Sequence, residues 1–342
     1  ETIQIRLTRR GPVVSHIFPK LKTDKVLTLR WASFETIQAN IGLDRLLYAR
    51  SAAEIRSALE DLNLVMLNYV FTDTNGNIGW QTSGKLPIRK QNDGTLPYVV
   101  SGSSDNWKGW IPFEEMPHAL NPEKGWIGTC NHYTPPSDYP YYYSSHAAAS
   151  FRYRRLKQLI EAPGLKTPED HWQYQRDTLN LMARTIAPLM AQALTDHPET
   201  AEMGRIHLTW DFHDDADQAA PAIFQSTYRL FAQMTFQDEL GQDLSKALLG
   251  NWYFWQEKLY HMVQENNSPW FDDTSTDQIK ETRDDLFLRA GREAAARLKA
   301  EMGNSPDKWT WGEIHTIEHV SPIRREGFGK KLVGSGRIPV GG

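Results

Sequence analysis

The spacing of hydrophobic residues changes twice along the chain. Near the amino terminus Ile3, Ile5 and Leu7 alternate with polar residues, which is typical of a half-buried β-strand. From about residue 165 to 302 the apolar positions recur with a helical period, and the β pattern returns over 309–320. This order predicts an α+β fold in which the helices form one large insertion. The predicted parts are a β-rich region, a helical block and a returning β segment, at 1–150, 151–303 and 304–342.

Capping and turn residues mark individual elements more sharply than the hydrophobic pattern does. Ser51 is a good N-cap for a helix over 52–62. The run DTNGN at 73–77, between two apolar segments, predicts a β-hairpin. Thr167, followed by Pro168 and two acidic residues, predicts a helix start. Further strands are expected at 13–18, 26–31, 64–71 and 78–82.

Composition narrows the class of protein. The 342 residues carry a formal net charge of −4, and no basic stripe stands out, which argues against nucleic acid as a partner. The sequence has no long apolar run of the kind that spans a membrane. Its 12 Trp and 13 Tyr suit either a groove for an organic ligand or an ordinary large core. Cys130 is the single cysteine, so no disulfide can form within the chain.

The stretch over 125–155 combines several features of a functional site. An apolar run at 126–130 predicts a buried strand, and Asn131 follows it where a loop should begin. Three prolines then forbid regular structure, and a helical pattern starts near Ala147. Arg152 falls in the first turns of that helix. An amide at a strand end can donate to developing negative charge, but Asn beside prolines more often caps a loop, and these residues alone favour the capping role.

Other patterns that could carry chemistry are weak. His315 and His319 match the H-x-x-E-H zinc motif, but their flanks alternate like a strand, which would separate the two residues by roughly 13 Å. The glycines at 327–329 and 334–336 lack the spacing of a dinucleotide-binding loop. Adjacent Glu114 and Glu115 face different ways. A glycosidase that uses Glu114 or Asp211 is therefore the least favoured function, because the sequence places no second carboxylate. An acidic cluster around His213 is more often a solvated loop than a cation site, and consists of Asp211, Asp214, Asp215 and Asp217.

Several short motifs follow one another along the chain. They are RRGPVV at 9–14, GKLPIR at 84–89, WKGWIPFEEMP at 107–117, TCN at 129–131, DYP at 138–140, FR at 151–152 and GRIPVGG at 336–342. In this order they resemble the beta chain of the penicillin acylase family of N-terminal nucleophile hydrolases. The resemblance covers nearly the whole chain and is loosest over 165–300.

The resemblance implies a four-layer αββα sandwich and the hydrolysis of an amide between an acyl group and an amine. In such enzymes autoproteolysis exposes a Ser at the beta-chain amino terminus. Its hydroxyl attacks the carbonyl, and its own α-amine, with a pKa of about 8 in model peptides, takes the proton. The family's oxyanion-hole Asn corresponds to Asn131 and its active-site Arg to Arg152. The resemblance further implies a periplasmic or secreted enzyme.

Two departures from the family pattern affect what the chain can do. Glu1 is not a nucleophile, so the resemblance implies that the nucleophile lies on a partner chain or another segment of the same processed precursor, alongside an alpha chain. This chain alone would then be inactive, either as one part of a composite enzyme or as a remnant. Many members bind a structural calcium through an Asp beyond the DYP motif. Here Tyr143 stands at that position, which argues against calcium unless Asp138 substitutes as a ligand, and no cofactor is expected.

Two functions stay open at this point. The first is an acylase in which this chain contributes Asn131 and Arg152. Its substrate would be a small-molecule amide, with β-lactams, acyl-homoserine lactones and other hydrophobic amides all compatible. The second is a non-catalytic, aromatic-rich ligand-binding or scaffold subunit.

Overall fold

A computed structural model describes residues 4–18, 22–38, 42–63, 65–90, 93–100, 107–320 and 334–342. The chain forms two compact units, Glu1–Ser145 and His146–Gly342. The mixture of helices and strands agrees with the predicted α+β class, while the four-layer sandwich and the three-part division of the chain stay predictions. No helix among the described residues is both long and apolar enough to span a bilayer.

The first unit combines short strands with three short helices. The helices are α1 (Ala32–Thr36), α2 (Leu43–Tyr48) and α3 (Ala52–Leu59). The strands are β1 (Leu7–Thr8), β2 (Gly11–Pro12), β3 (Asn68–Thr72), β4 (Ile78–Thr82), β5 (Pro87–Arg89), β6 (Trp107–Trp110) and β7 (His118–Leu120). Strands β3, β4 and β7 form an antiparallel sheet with β4 at its centre, and the other four strands pair as β1 with β2 and β5 with β6.

The second unit is helical, with one small strand pair near its end. Its helices are α4 (Phe151–Glu161), α5 (Pro168–Gln175), α6 (Leu181–Thr195), α7 (Ala201–Leu208), α8 (Ala219–Leu249), α9 (Gln256–Glu265), α10 (Arg283–Met302) and α11 (Trp311–Ile314). Strands β8 (Thr316–Glu318) and β9 (Arg337–Pro339) pair antiparallel. Helix α8 packs against α10 and α7, and Phe224, Phe231 and Phe287 are fully buried between these helices.

Elements specified by local chemistry form where the sequence predicts them. The Ser51 hydroxyl accepts a hydrogen bond from the Glu54 backbone N–H and caps α3. Thr167 and Asp170 form a reciprocal capping box at the start of α5. The hairpin at 73–77 joins β3 to β4, and the Asp73 carboxylate accepts the backbone N–H groups of Asn75 and Asn77. These bonds hold the pKa of Asp73 low, at about 2, with the Asn77 side-chain amide as the largest contributor.

Several elements predicted from hydrophobic pattern alone are wrong. Residues 126–130 form half-buried coil rather than a strand, and Ser15–Ile17 is a single 3-10 turn. Trp311–Ile314 is a helical turn, and α4 begins at Phe151 rather than near Ala147. A strand requires a neighbour to complete its backbone hydrogen bonds, and no strand among the described residues pairs with 126–130. Apolar runs therefore mark burial better than they mark strands.

Candidate functional site

Asn131 occupies an unusual backbone position on the loop that follows 126–130. Its φ angle is 60°, in the left-handed region that few residues other than glycine adopt, and its side chain is exposed. The neighbouring Cys130 backbone N–H donates to Nδ1 of His132 at 3.4 Å. The tight bend at 130–132 turns the chain from the apolar run into the proline-rich loop. The amide of Asn131 thus stands at a defined bend on the surface of the first unit.

Tyrosines fasten this loop to the 3-10 turn at Phe113–Glu115. The Tyr139 hydroxyl donates to the Glu115 carbonyl at 3.0 Å, and the Tyr141 hydroxyl donates to the Glu115 carboxylate. The rings of Tyr133 and Tyr143 meet edge to face at 5.8 Å, with Tyr143 buried. Burial raises the pKa of Tyr139 to about 12, so its hydroxyl stays a donor throughout the physiological range. The loop that carries Asn131 is therefore held by side chains on both sides of its prolines.

The left-handed conformation of Asn131 is not by itself a sign of function. Asn121 and Asn266 share it, and both have structural reasons. Asn121 accepts the Ile78 backbone N–H and donates to the Asn77 side chain, at 2.9 and 2.8 Å, while Asn266 ends α9. Asn tolerates this region because its short side chain can bond to nearby backbone. Asn121 is exposed as well, so exposure does not separate the two; Asn131 differs in lying on a loop that tyrosines fasten to Glu115.

Arg152 is the second residue of α4, in the second unit. Its guanidinium lies over the ring of Trp252 at 5.8 Å from the centroid, and its side chain is exposed. The two nearby arginines are placed differently. Arg155 forms a bidentate ion pair with the half-buried Asp177, at 2.9 and 2.6 Å, and Arg154 lies 5.9 Å from the Phe151 ring. Arg155 is thereby assigned to packing, whereas Arg152 and Arg154 are both exposed in the first turn of the helix.

Residues ahead of α4 contribute contacts that sequence reasoning did not single out. Ser150 donates both its backbone N–H and its hydroxyl to the Glu257 carboxylate, at 2.7 and 2.9 Å. The His146 ring stacks on Tyr253 with centroids 4.7 Å apart. These partners are separated by more than 100 positions in the sequence, so no local signal could have paired them.

The other motifs lie in structural roles. Strand β8 lies between His315 and His319, so the H-x-x-E-H residues do not share a helix face. Glu114 pairs with Arg56 at 2.5 Å, away from the tyrosines that hold Glu115. The glycines at 327–329 lie outside the described residues. No cluster of three or more metal-ligating side chains of the Cys, His, Asp and Glu types occurs in the described part of the chain. Whether Asp138 and the loop around Tyr143 bind calcium is not tested by these contacts.

The acidic cluster around His213 is more ordered than the sequence indicates. Asp214 is buried, and its Oδ2 accepts from Asn180 and Gln225 at 2.9 and 3.3 Å. The Thr178 hydroxyl donates to Asp215 at 2.7 Å, and an isolated bridge joins Leu179 to His213. The expectation of a solvated loop is wrong for Asp214, because its partners on 178–180 and on α8 enclose it.

Comparisons with known proteins agree with the family resemblance that the motifs indicate. The family model described as penicillin amidase matches residues 1–342. An acyl-homoserine lactone acylase, QuiP of Pseudomonas aeruginosa, is 25% identical over 382 aligned positions, which cover 99% of this chain and 44% of that protein. Penicillin G acylase of Escherichia coli is 31% identical over 155 positions, or 42% of this chain and 18% of that protein.

A solved structure shows the same fold. Thermostable penicillin G acylase from Alcaligenes faecalis matches with a TM-score of 0.65 and 18% identity, covering 90% of this chain and 59% of that one. The chain spans less than half the length of these curated relatives. Because the family model matches from the first residue to the last, the chain belongs to the penicillin amidase family.

Proposed function

We propose that this chain is part of an amide hydrolase that removes an acyl group from an amine through an acyl-enzyme. Its relatives include an acyl-homoserine lactone acylase and a penicillin G acylase, which supports amide hydrolysis as the reaction class. Within that class we favour N-acyl homoserine lactones as substrates, because several relatives that cover most of this chain carry that name. The complete enzyme would adopt the four-layer αββα sandwich and work in the periplasm or outside the cell.

In this proposal Asn131 supplies the oxyanion donor. The nucleophile, a Ser at the amino terminus of a partner chain or segment, attacks the amide carbonyl while its α-amine takes the hydroxyl proton. The carbonyl oxygen becomes negative, and the Nδ2–H of Asn131 donates to it. The amine then leaves with a proton, and water releases the acyl group. A fixed donor stabilises such charge better than water does, because it needs no reorganisation during the reaction.

One observation carries the assignment of Asn131. Its amide is exposed on a loop that tyrosines fasten to Glu115, and its backbone is held in the left-handed region. A donor must be both accessible to substrate and preorganised, and the exposure of Asn131 on a fastened loop supports this role. Arg152, exposed at the start of α4, would orient the polar end of the substrate.

Replacement of Asn131 in the complete protein tests the proposal. Asn131→Gly keeps a residue that adopts the left-handed backbone and removes only the amide, so we expect kcat to fall by about 10²–10³-fold. Asn131→Asp should fall at least as far, because a carboxylate repels the oxyanion. The assay measures release of free amine from octanoyl- and dodecanoyl-homoserine lactone and from penicillin G.

Asn121→Gly is the matched control. It removes a second left-handed Asn whose side chain has structural bonds only, so it should lower stability and leave kcat within a few-fold of the parent. Near-normal turnover by Asn131→Gly would remove Asn131 from the mechanism. If the complete protein binds these amides but releases no amine, the ligand-binding alternative replaces the acylase.

A further inference from the structure

The start of helix α4 is held by a side chain from a distant part of the second unit. Ser150 is the N-cap of α4, yet its hydroxyl makes no capping bond to the helix. It donates instead to Oε1 of Glu257 at 2.9 Å, while the Ser150 backbone N–H donates to Oε2 at 2.7 Å. Both oxygens of one carboxylate on α9 are thus bound to the residue that precedes α4.

The segment at 252–260 makes further ring contacts with the same region. Tyr253 stacks on His146 with an interplanar angle of 12°, and Tyr260 meets Phe151 edge to face at 4.8 Å. Trp252 lies beneath the guanidinium of Arg152. A 3-10 turn at Trp252–Phe254 and the first half of α9 therefore contact residues 146, 150, 151 and 152. These contacts are all within the second unit.

The chemistry of these contacts favours one fixed position for the first turn of α4. Hydrogen bonds to an ionised carboxylate are shorter and stronger than neutral ones, and two bonds to one residue fix direction as well as distance. Negative charge at a helix amino terminus is also favoured by the helix dipole. Arg152 is two residues beyond Ser150, so the position of its Cα follows from where Glu257 holds Ser150. One turn further along the helix, Arg155 is fixed by Asp177.

We infer that Glu257 is a positioning residue for Arg152: by binding Ser150 it sets the first turn of α4, and Trp252 supports the guanidinium that this turn presents. The inference rests on the proposed function, since it gives Arg152 a role at the reaction centre. Glu257 acts through α4 rather than on the substrate. If the bond between Glu257 and Ser150 is only structural, its loss lowers the stability of the helical unit and changes activity to the same extent with and without Arg152. A positioning role instead makes the effect of Glu257 on activity depend on Arg152.

A double-mutant cycle in the complete protein separates the two roles. Glu257→Ala, Arg152→Ala and the double variant are compared by kcat/KM for release of amine from octanoyl-homoserine lactone. We expect Arg152→Ala to lower kcat/KM by about 100-fold and Glu257→Ala by about tenfold. In the Arg152→Ala background, the loss of Glu257 should change kcat/KM by less than twofold. Glu257→Gln, which keeps one acceptor oxygen, should lie between the parent and Glu257→Ala.

A variant that loses a different helix cap provides the control. Asp285 and Thr282 form the reciprocal capping box of α10, so Asp285→Ala removes a cap in the same unit. It should lower the melting temperature and leave kcat/KM of the folded protein unchanged. If Glu257→Ala fails to yield folded enzyme, Ser150→Ala removes the hydroxyl bond alone and should couple to Arg152 in the same sense.

Each outcome of the cycle decides something. An equal effect of Glu257→Ala with and without Arg152 makes Glu257 structural and overturns the inference. The inference is also overturned if Glu257→Ala has an unchanged kcat/KM while Arg152→Ala is impaired. In both cases the proposed function stands. Normal activity in Arg152→Ala removes Arg152 from the proposed site and the inference with it, whereas loss of activity in Asn131→Gly would still support the acylase.

Discussion

The carboxylate of Asp214 lies in the loop before α8 and is only 4% exposed. Oδ2 accepts from the Asn180 and Gln225 amides, while Oδ1 has no hydrogen-bond partner among the described residues. Burial raises the pKa of Asp214 from 3.8 to about 6, against the opposing effect of the two amides. Because the folded state holds this proton more tightly than the unfolded state, the associated stability is present at low pH and is lost as pH rises through about 6.

Asp214→Asn should therefore stabilise the protein at neutral pH. The parent carries a buried charge at pH 7 that costs roughly 3 kcal/mol, from a shift of about two pH units at 1.4 kcal/mol each. The new amide has a donor without a partner, so we expect a gain of about 1–2 kcal/mol at pH 7 and none below pH 4. Thermal melting of both proteins from pH 4 to pH 8 measures it.

Two comparisons make the Asp214 result specific. Asp215→Asn changes the neighbouring carboxylate, which accepts from Thr178, and should give no gain at neutral pH. His207 changes stability in the opposite sense, since burial lowers its pKa to about 4 and its contribution is lost as pH falls from about 6.5. The difference between variant and parent removes this background. A gain that persists at pH 4 would show that the carboxylate charge is not the cause.

At the scale of elements, helices α6 and α10 meet at a glycine. A Cβ added to Gly291 on α10 would lie 2.3 Å from Cδ2 of Leu194, which is fully buried on α6. Gly in a helix interior is less favourable than Ala by about 1 kcal/mol, but overpacking a core costs about 1–3 kcal/mol. The close approach of the two helices is thus the reason for glycine at this position.

Gly291→Ala should destabilise α10 by about 1–2 kcal/mol, because the clash with Leu194 exceeds the gain in helix propensity. Hydrogen exchange of the α10 amides is the suitable measurement, as it reports on this helix locally. In a Leu194→Ala background the same substitution should become neutral or stabilising, since the space is then open. Higher protection in the single variant would contradict the packing argument.

The elements that the sequence predicts well are those whose determinants are local. Ser51, the capping box at Thr167 and the hairpin at 73–77 each depend on residues within five positions. The strand expected at 126–130 depends on a distant neighbour that an apolar run cannot specify. The bond between Ser150 and Glu257 spans 107 positions, and the burial of Asp214 requires three separate segments. Such contacts become visible only in the fold.

The candidate site likewise has features that the sequence predicts and features that only the fold shows. The residues around Asn131 by themselves predict a loop cap, and the order of motifs along the whole chain makes Asn131 a catalytic candidate. The structure adds the backbone conformation and the tyrosines that fasten the loop. Arg152 could not be separated from Arg155 by sequence chemistry, whereas the ion pair with Asp177 separates them at once. The resemblance nominates Asn131 and Arg152, whose roles stay predictions, and the packing describes where each of them lies.

At the scale of the molecule, the two units differ in how much apolar surface each buries. The large aromatic core lies in the second unit, around α8 and α10. The first unit buries few large side chains, such as Leu59, Ile111 and Met116, and leaves Leu47 and Tyr48 about four-fifths exposed, at 82% and 81%. Exposed apolar side chains contribute little to the stability of a unit on its own.

Limited proteolysis tests this difference. When the chain is produced alone, trypsin should cleave first within residues 1–124, because local opening follows the amount of buried apolar contact. The resistant fragment should begin at Gly125, since Lys124 is the last Lys or Arg before residue 146. In the complete protein the sites in 1–145 should be protected at least tenfold if further chain covers Leu47 and Tyr48. Mass spectrometry of the early fragments gives the order of cleavage. If a fragment from 1–145 outlasts the helical unit, the first unit is the more stable of the two and the prediction is wrong. If the complete protein is cleaved as fast as the chain alone, no further chain covers Leu47 and Tyr48.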